Sequence, residues 1–150
     1  MKLLNPKGIL ATLALLAVTV SFGQQATARI AMYPSLPARI NIEQATLANA
    51  LTFNRGNDAV ISLSTSLVFT GQVIFKNDAQ ANLQTVAIKS TGGNNAVLHI
   101  NKITNADNTI TYTGRILNPN AADGYLIKNE NGVYVLQKFE SSTLLDPCEL

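Results

Sequence analysis

The stretch 96–117 alternates apolar and polar side chains in two runs, which a short polar segment separates. The residues on the apolar side of these runs are Ala96, Leu98, Ile100, Ile110, Tyr112 and Ile116. An alternation with a period of two is typical of a strand that buries one face. The separating segment, Asn-Ala-Asp-Asn at 105–108, favours a turn because Asn and Asp bond to the nearby main chain and tolerate left-handed backbone. The pattern therefore predicts a β-hairpin.

The same alternation predicts the register of this hairpin. A three-residue loop at 105–107 places Ile100 opposite Tyr112, whereas a four-residue loop places Ile100 opposite Thr113. A slip of one residue turns a whole strand over and exposes its apolar face to water. We therefore expect the three-residue loop.

One helix is predicted upstream of the hairpin, over 42–53. Its apolar and small residues are Ile42, Ala45, Leu47, Ala48, Ala50, Leu51 and Phe53. Asn41 followed three residues later by Gln44 is a helix start signal, and Gly56 lies where a stop signal is expected. A strand at 50–53 is the alternative for the end of this segment.

The remaining apolar segments predict further strands. They are 60–64, 67–76, 83–90, 125–129 and 133–139. Gly71 lies inside one of them, which favours a bulge or a close backbone contact. Asn131-Gly132 between the last two is the strongest short signal for a hairpin. We therefore expect a mainly β (α+β) fold, in which one N-terminal helix precedes an antiparallel meander sheet of about seven strands, open or curled.

The first 23 residues have the pattern of a secretory signal peptide. Lys2 and Lys7 form a short basic start, an apolar run follows, and small residues precede Gln24. Cleavage is expected after Gly23, with cleavage after Ala28 as the alternative. A membrane anchor is the other interpretation, but the apolar run is shorter than the roughly 20 residues that cross a bilayer. The sequence thus predicts an exported protein, secreted or periplasmic, without a stable membrane span after cleavage.

Removal of the leader changes the charge of the chain. Eleven Lys and Arg residues face nine Asp and Glu residues, for a formal net charge of +2. Two of the basic residues, Lys2 and Lys7, leave with the leader, so nine face nine and the net charge becomes zero. The remaining basic residues are spread singly along the chain. Since a neutral chain has no general attraction for polyanions, nucleic-acid binding is disfavoured.

The rest of the chain suits a single domain. We expect an irregular lead-in or edge segment at 24–40, because prolines at 34 and 37 interrupt regular pairing, then one β-rich domain at 41–139 and a flexible tail at 140–150. Cys148 is the one cysteine, which excludes an internal disulfide framework. Its acidic neighbours disfavour the thiolate, so pairing with another chain is its more plausible role.

Few residues are candidates for chemistry. His99 is the one histidine, and it falls on the polar side of its strand without an evident nucleophile, acid or further metal ligands. Asp107 and Asp123 occupy loops and are the candidates for a carboxylate pair. The segment 105–108 lacks the alternating acids of a calcium loop. The chain has no glycine-rich phosphate loop, no Gly-x-Ser-x-Gly and no His-Glu-x-x-His. We therefore assign no catalytic residue, cofactor or metal site.

Three function classes are consistent with the sequence. The favoured one is a non-catalytic exported module that binds a protein or matrix partner through a sheet edge or its loops. The second is an inhibitor or chaperone-like partner of an exported hydrolase. The third is an enzyme that uses the loop carboxylates. The chain has no tryptophan, which weakens the case for carbohydrate binding, because sugars stack best on broad aromatic faces.

Overall fold

The computed structural model describes residues 29–141. They form eight strands and one short helix, in the order β1 (Arg39–Ile42), α1 (Gln44–Ala50), β2 (Asp58–Ser62), β3 (Val68–Gln80), β4 (Leu83–Ser90), β5 (Val97–Thr104), β6 (Ile110–Leu117), β7 (Asp123–Glu130) and β8 (Val133–Glu140). All eight strands make one antiparallel sheet in the order β1-β8-β7-β6-β5-β4-β3-β2. The expected fold class, a mainly β curled meander with one N-terminal helix, is confirmed. The additional strand is β1.

The hairpin of β5 and β6 forms, but the predicted register is wrong by two residues. Ile100 lies opposite Gly114, and Leu98 lies opposite Ile116. The loop still has three residues, 106–108, because the N–H of Asn105 donates to the carbonyl of Thr109. A slip of two residues keeps every side chain on its own face. The same apolar faces are therefore buried as in the predicted register.

The helix is shorter than the predicted segment 42–53 and starts later. Asn41 is not its cap, because it lies in β1 opposite Val135 of β8. The helix follows Glu43, covers Gln44–Ala50 and has no side-chain cap hydrogen bond. The pairing of β1 with the last strand of the chain decides this boundary. A segment that carries both a cap signal and a period-two alternation takes the conformation that its distant partner stabilises.

Strand β3 is longer than predicted, and at Gly71 it makes the expected close backbone contact, with Lys89 of β4, rather than a bulge. It continues to Gln80, so the predicted turn at 77–82 shrinks to the two residues between Gln80 and Leu83. Its register against β4 shifts between Val73 and Phe75. Such a bulge turns the following side chains over. Phe75, expected on the apolar face, is consequently 47% exposed.

The hairpin of β7 and β8 is confirmed. Glu130 lies opposite Val133, so Asn131 and Gly132 form a two-residue loop. Both loop residues have positive φ, 54° and 88°, as the type I′ turn requires.

One face of the sheet, the inner face, carries the apolar core. Its largest fully buried side chains come from six strands, β3 to β8, and include Val73, Ile88, Leu98, Ile116, Tyr125 and Leu136. Leu47 and Ala50 of α1 pack against this face, as do Tyr33 and Leu36 of the lead-in segment. The opposite face, the outer face, carries the residues that alternate with these along each strand, such as His99 and Arg115. The inner face is therefore covered by the helix and the lead-in.

The leader at 1–23, both cleavage positions and Cys148 lie outside the described residues, as does all of the tail beyond Ser141. Among residues 29–141, no helix combines the length and the apolar character that a membrane crossing demands.

Candidate functional site

Among residues 29–141, strand β2 ends the sheet and has one free edge. Its five residues pair with β3 on one side, and the order of strands places no strand on the other. The burial pattern alternates: Ala59 and Ile61 are buried, while Val60 is 63% exposed. Sheet edges with open backbone groups are sites where an extended segment of another chain can add.

The hydrogen bonds at both ends of β2 show which of its backbone groups face outwards. The N–H of Leu63 donates to the carbonyl of Leu67 at 2.9 Å, and the N–H of Val73 donates to the carbonyl of Asn57 at 2.9 Å. Antiparallel pairs alternate between hydrogen-bonded and open positions. The positions that bond to β3 are thus 57, 59, 61 and 63. The backbone groups of Asp58, Val60 and Ser62 point away from the sheet.

A groove runs beside this edge. It lies between α1 and β2, has a volume of about 290 Å³, and is lined by Thr46, Asn49 and Ala50 of the helix, by Phe53, and by residues 60–62 of the strand. The helix thus adds apolar and polar side chains next to open backbone donors and acceptors. An added strand would bond to β2 and rest one row of side chains on this groove.

The other edge, β1, is more protected. It is four residues long, and the outward-facing positions are Arg39 and Asn41, because the N–H of Lys138 donates to the carbonyl of Ala38 at 2.7 Å and sets the alternation. The guanidinium of Arg39 forms an ion pair with Glu130. A short edge with charged side chains discourages pairing with another chain.

His99 lies at the centre of the outer face. It is half-buried and directly opposite Arg115 on β6. Burial lowers the pKa of the His99 imidazole, and the guanidinium of Arg115 lowers it further. In the next row, the hydroxyl of Thr85 donates to Asn101 Oδ1 at 2.9 Å, and Asn101 Nδ2 donates to Thr113 at 3.5 Å. Within the described part of the chain, the imidazole therefore has neutral and cationic neighbours and no carboxylate to orient it as a catalytic base.

Asp123, the first residue of β7, is a buried carboxylate with its partners in place. It is 4% exposed and accepts hydrogen bonds from the N–H groups of Met32 and Tyr33, the latter at 3.1 Å. The ammonium nitrogen of Lys138 lies 3.4 Å away and also donates to the carbonyls of Tyr33 and Leu36. Asp123 thus links the lead-in segment to the sheet through hydrogen bonds and an ion pair.

Asp107 occupies the tip of the β5–β6 hairpin. Its carboxylate accepts from the hydroxyl of Thr109 at 2.6 Å and from the Thr109 N–H at 3.0 Å, and these bonds lower the pKa of Asp107. Asp107 precedes β6 and Asp123 follows it, so they lie at opposite ends of a strand of eight residues, roughly 26 Å long. The structure does not bring the two candidate carboxylates together. Within residues 29–141, no three His, Cys, Asp or Glu residues cluster to hold a metal ion.

The β2 edge was not predicted from the sequence as a specific site. The segment 60–64 was predicted to be a strand, but its place at the end of the sheet depends on which strand β1 joins. One local signal was present: Val60 is an apolar residue on the polar-facing side of its strand. Comparisons with protein-family models, with curated proteins and with solved structures give no match to this chain.

Proposed function

We propose that the protein is an exported, non-catalytic binding module that takes up an extended segment of another exported protein as an added strand along β2. The observation that supports this most is the open backbone of Asp58, Val60 and Ser62 next to the groove of α1. The backbone groups supply hydrogen bonds for any sequence, and the groove selects among side chains.

The geometry also indicates what kind of segment fits. In an added strand, alternate side chains point to the same face. Those on the inner side meet Ala50 and Phe53, while those on the outer side lie next to the exposed Val60. We therefore expect segments with small or apolar residues at every second position and without proline at the positions that donate to β2.

A selection of linear peptides against the purified protein tests this proposal. Selected peptides are synthesised, and their affinities for the wild-type protein and for Val60→Pro are measured by calorimetry. Proline at an outward-facing edge position removes one donor without breaking a bond to β3. We expect Val60→Pro to lower the affinity about tenfold. Val60→Thr is the matched control, because it keeps the N–H and the β-branched shape, and it should bind as the wild type does.

Two further measurements keep the outcome decisive if Val60→Pro folds poorly. Alternate backbone N–H groups of an added strand point to opposite edges. Peptides that carry N-methyl groups on the edge facing β2 should therefore lose binding, and peptides that carry them on the opposite edge should keep it. Amide chemical shifts of the wild-type protein should change at residues 58–62 when peptide is added. Peptides that bind Val60→Pro and the wild type equally well, or that shift amides elsewhere, would contradict strand addition at β2.

A further inference from the structure

The outer face carries a diagonal of basic residues across four neighbouring strands. Arg115 of β6 lies directly opposite His99 of β5. Lys89 of β4 lies opposite Val97, two positions from His99, and Lys128 of β7 lies two positions from Leu126, which is opposite Arg115. Diagonal neighbours of this kind are about 7–8 Å apart. We call Lys89, His99, Arg115 and Lys128 the basic diagonal.

Among the residues that the structure describes, no acidic residue balances this diagonal. Glu130 is the one acidic residue on the outer face of β4–β7 within residues 29–141, and its carboxylate pairs with Arg39. Lys89, Arg115 and Lys128 are exposed and form no ion pair with any described residue. The neutral net charge of the exported chain thus hides a local concentration of positive charge. The registers of four strands create it from residues that lie far apart in sequence.

Hydrogen-bond donors lie between the charges. A depression of about 330 Å³ at the centre of the diagonal is lined by His99, Asn101, Gly114 and Arg115. Thr113 lies beside it and receives the weak 3.5 Å contact from Asn101. The exposed guanidinium of Arg115 offers the planar fork that fits a carboxylate. Amide and hydroxyl groups around it suit the hydroxyls of a sugar.

We propose that the basic diagonal binds a polyuronate, an acidic polysaccharide with one carboxylate on each sugar. Three formal charges are spread over β4–β7, whose axes are about 4.8 Å apart. One cation on every strand or every second strand matches a polymer that carries single charges at regular intervals. The three cations are fewer than the six to ten phosphate contacts that typical nucleic-acid binding involves.

The test uses a soluble oligogalacturonate in calcium-free buffer, titrated into the purified protein. We expect binding that weakens as salt is added, and no binding of a neutral dextran oligomer of similar length. Arg115→Gln should weaken binding by at least about threefold, since each exposed charge pair contributes modestly. Arg55→Gln is the matched control: it removes the same charge from an exposed position outside the diagonal, and it should bind as the wild type does.

The remaining outcomes also decide the proposal. Amide shifts of the wild-type protein at residues 99, 113 and 115 would support the site even if Arg115→Gln folds poorly. Equal binding of polyglutamate would reveal charge attraction alone, and tighter binding of a heparin fragment would identify a sulfated ligand; each overturns the polyuronate assignment. Equal losses in Arg115→Gln and Arg55→Gln would overturn the location. None of these outcomes depends on β2, so the two proposals succeed or fail separately.

Discussion

The hydroxyl of Tyr134 accepts a hydrogen bond from the backbone N–H of Tyr112, with a nitrogen-to-oxygen distance of 3.0 Å. The two rings also meet edge to face, with centroids 5.6 Å apart and planes at 80°. The register of β6 against β7 covers Gly114, Arg115 and Ile116 and stops short of Tyr112. The phenol of β8 therefore takes the place of a strand carbonyl that β7 does not supply.

Tyr134→Phe should destabilise the protein by about 1–3 kcal/mol, because the ring stays while a buried N–H loses its acceptor. Urea unfolding followed by circular dichroism measures the change. Tyr33→Phe is the control at neutral pH, since its hydroxyl bonds to no described residue, and it should cost less than about 0.5 kcal/mol. Equal stabilities of Tyr134→Phe and the wild type would mean that water replaces the phenol.

The contacts between Asp123 and the lead-in segment give a second prediction. Asp123→Asn removes the charge that compensates Lys138 and one acceptor for the N–H groups of Met32 and Tyr33. Removing one partner of a buried ion pair leaves the other uncompensated, and we expect a loss of about 3 kcal/mol in the free energy of unfolding. Amide hydrogen exchange should accelerate at residues 32 and 33.

Asp78→Asn is the matched control for that variant. Asp78 is exposed near the end of β3, and its substitution should change the free energy of unfolding by no more than about 0.5 kcal/mol. If Asp123→Asn unfolds at the same urea concentration as Asp78→Asn, the ion pair does not hold the lead-in.

Apart from β3 beyond its bulge, the faces of the strands could be predicted from the sequence because each depends on a local alternation. In the β5–β6 hairpin, the prediction put Ile100 opposite Tyr112, and the structure puts it opposite Gly114. Burial of an apolar face distinguishes odd slips from even ones, so it selected the faces correctly. It does not distinguish two even registers, which bury the same faces and differ in the turn and in the residues paired across the strands.

Features that depend on distant pairing could not be predicted in the same way. Arg39–Ile42 becomes a strand because it pairs with residues 134–137. The helix start signal at Asn41 and Gln44 is local and does not reveal this distant pairing. The same holds for the free edge of β2 and for the basic diagonal, since each depends on the complete order of strands. The bulge that turns Phe75 outwards likewise depends on how β3 meets β4.

Gly71 gives a third prediction. A Cβ at this position would lie 2.3 Å from the carbonyl oxygen of Lys89 on β4, so alanine would push the two strands apart. We expect Gly71→Ala to cost about 1–3 kcal/mol. Gly92→Ala is the control, because its nearest neighbour would be Ser90 Oγ at 3.5 Å, and it should leave thermal unfolding within a few degrees of the wild type. Similar unfolding temperatures for both variants would contradict the close approach at Gly71.

Tyr33 makes the stability of the protein depend on alkaline pH. Burial raises the pKa of Tyr33 from 10.0 to about 12, with further increases from the Asp123 carboxylate and from Tyr125. The folded state then holds this proton more tightly than the unfolded state does. The contribution of the Tyr33 phenol to the free energy of unfolding is complete below pH 10 and is lost as the pH rises towards about 12.

Urea unfolding at several pH values between 9 and 12 should therefore show a decline that is steeper in the wild type than in Tyr33→Phe. The variant removes one titrating phenol and leaves Tyr112 and Tyr125, whose pKa values burial also raises, as a common background. Ultraviolet difference absorbance should show one phenol fewer ionising at the high end of this range. Parallel declines for the two proteins would mean that the Tyr33 hydroxyl reaches water, and that the lead-in does not shield it.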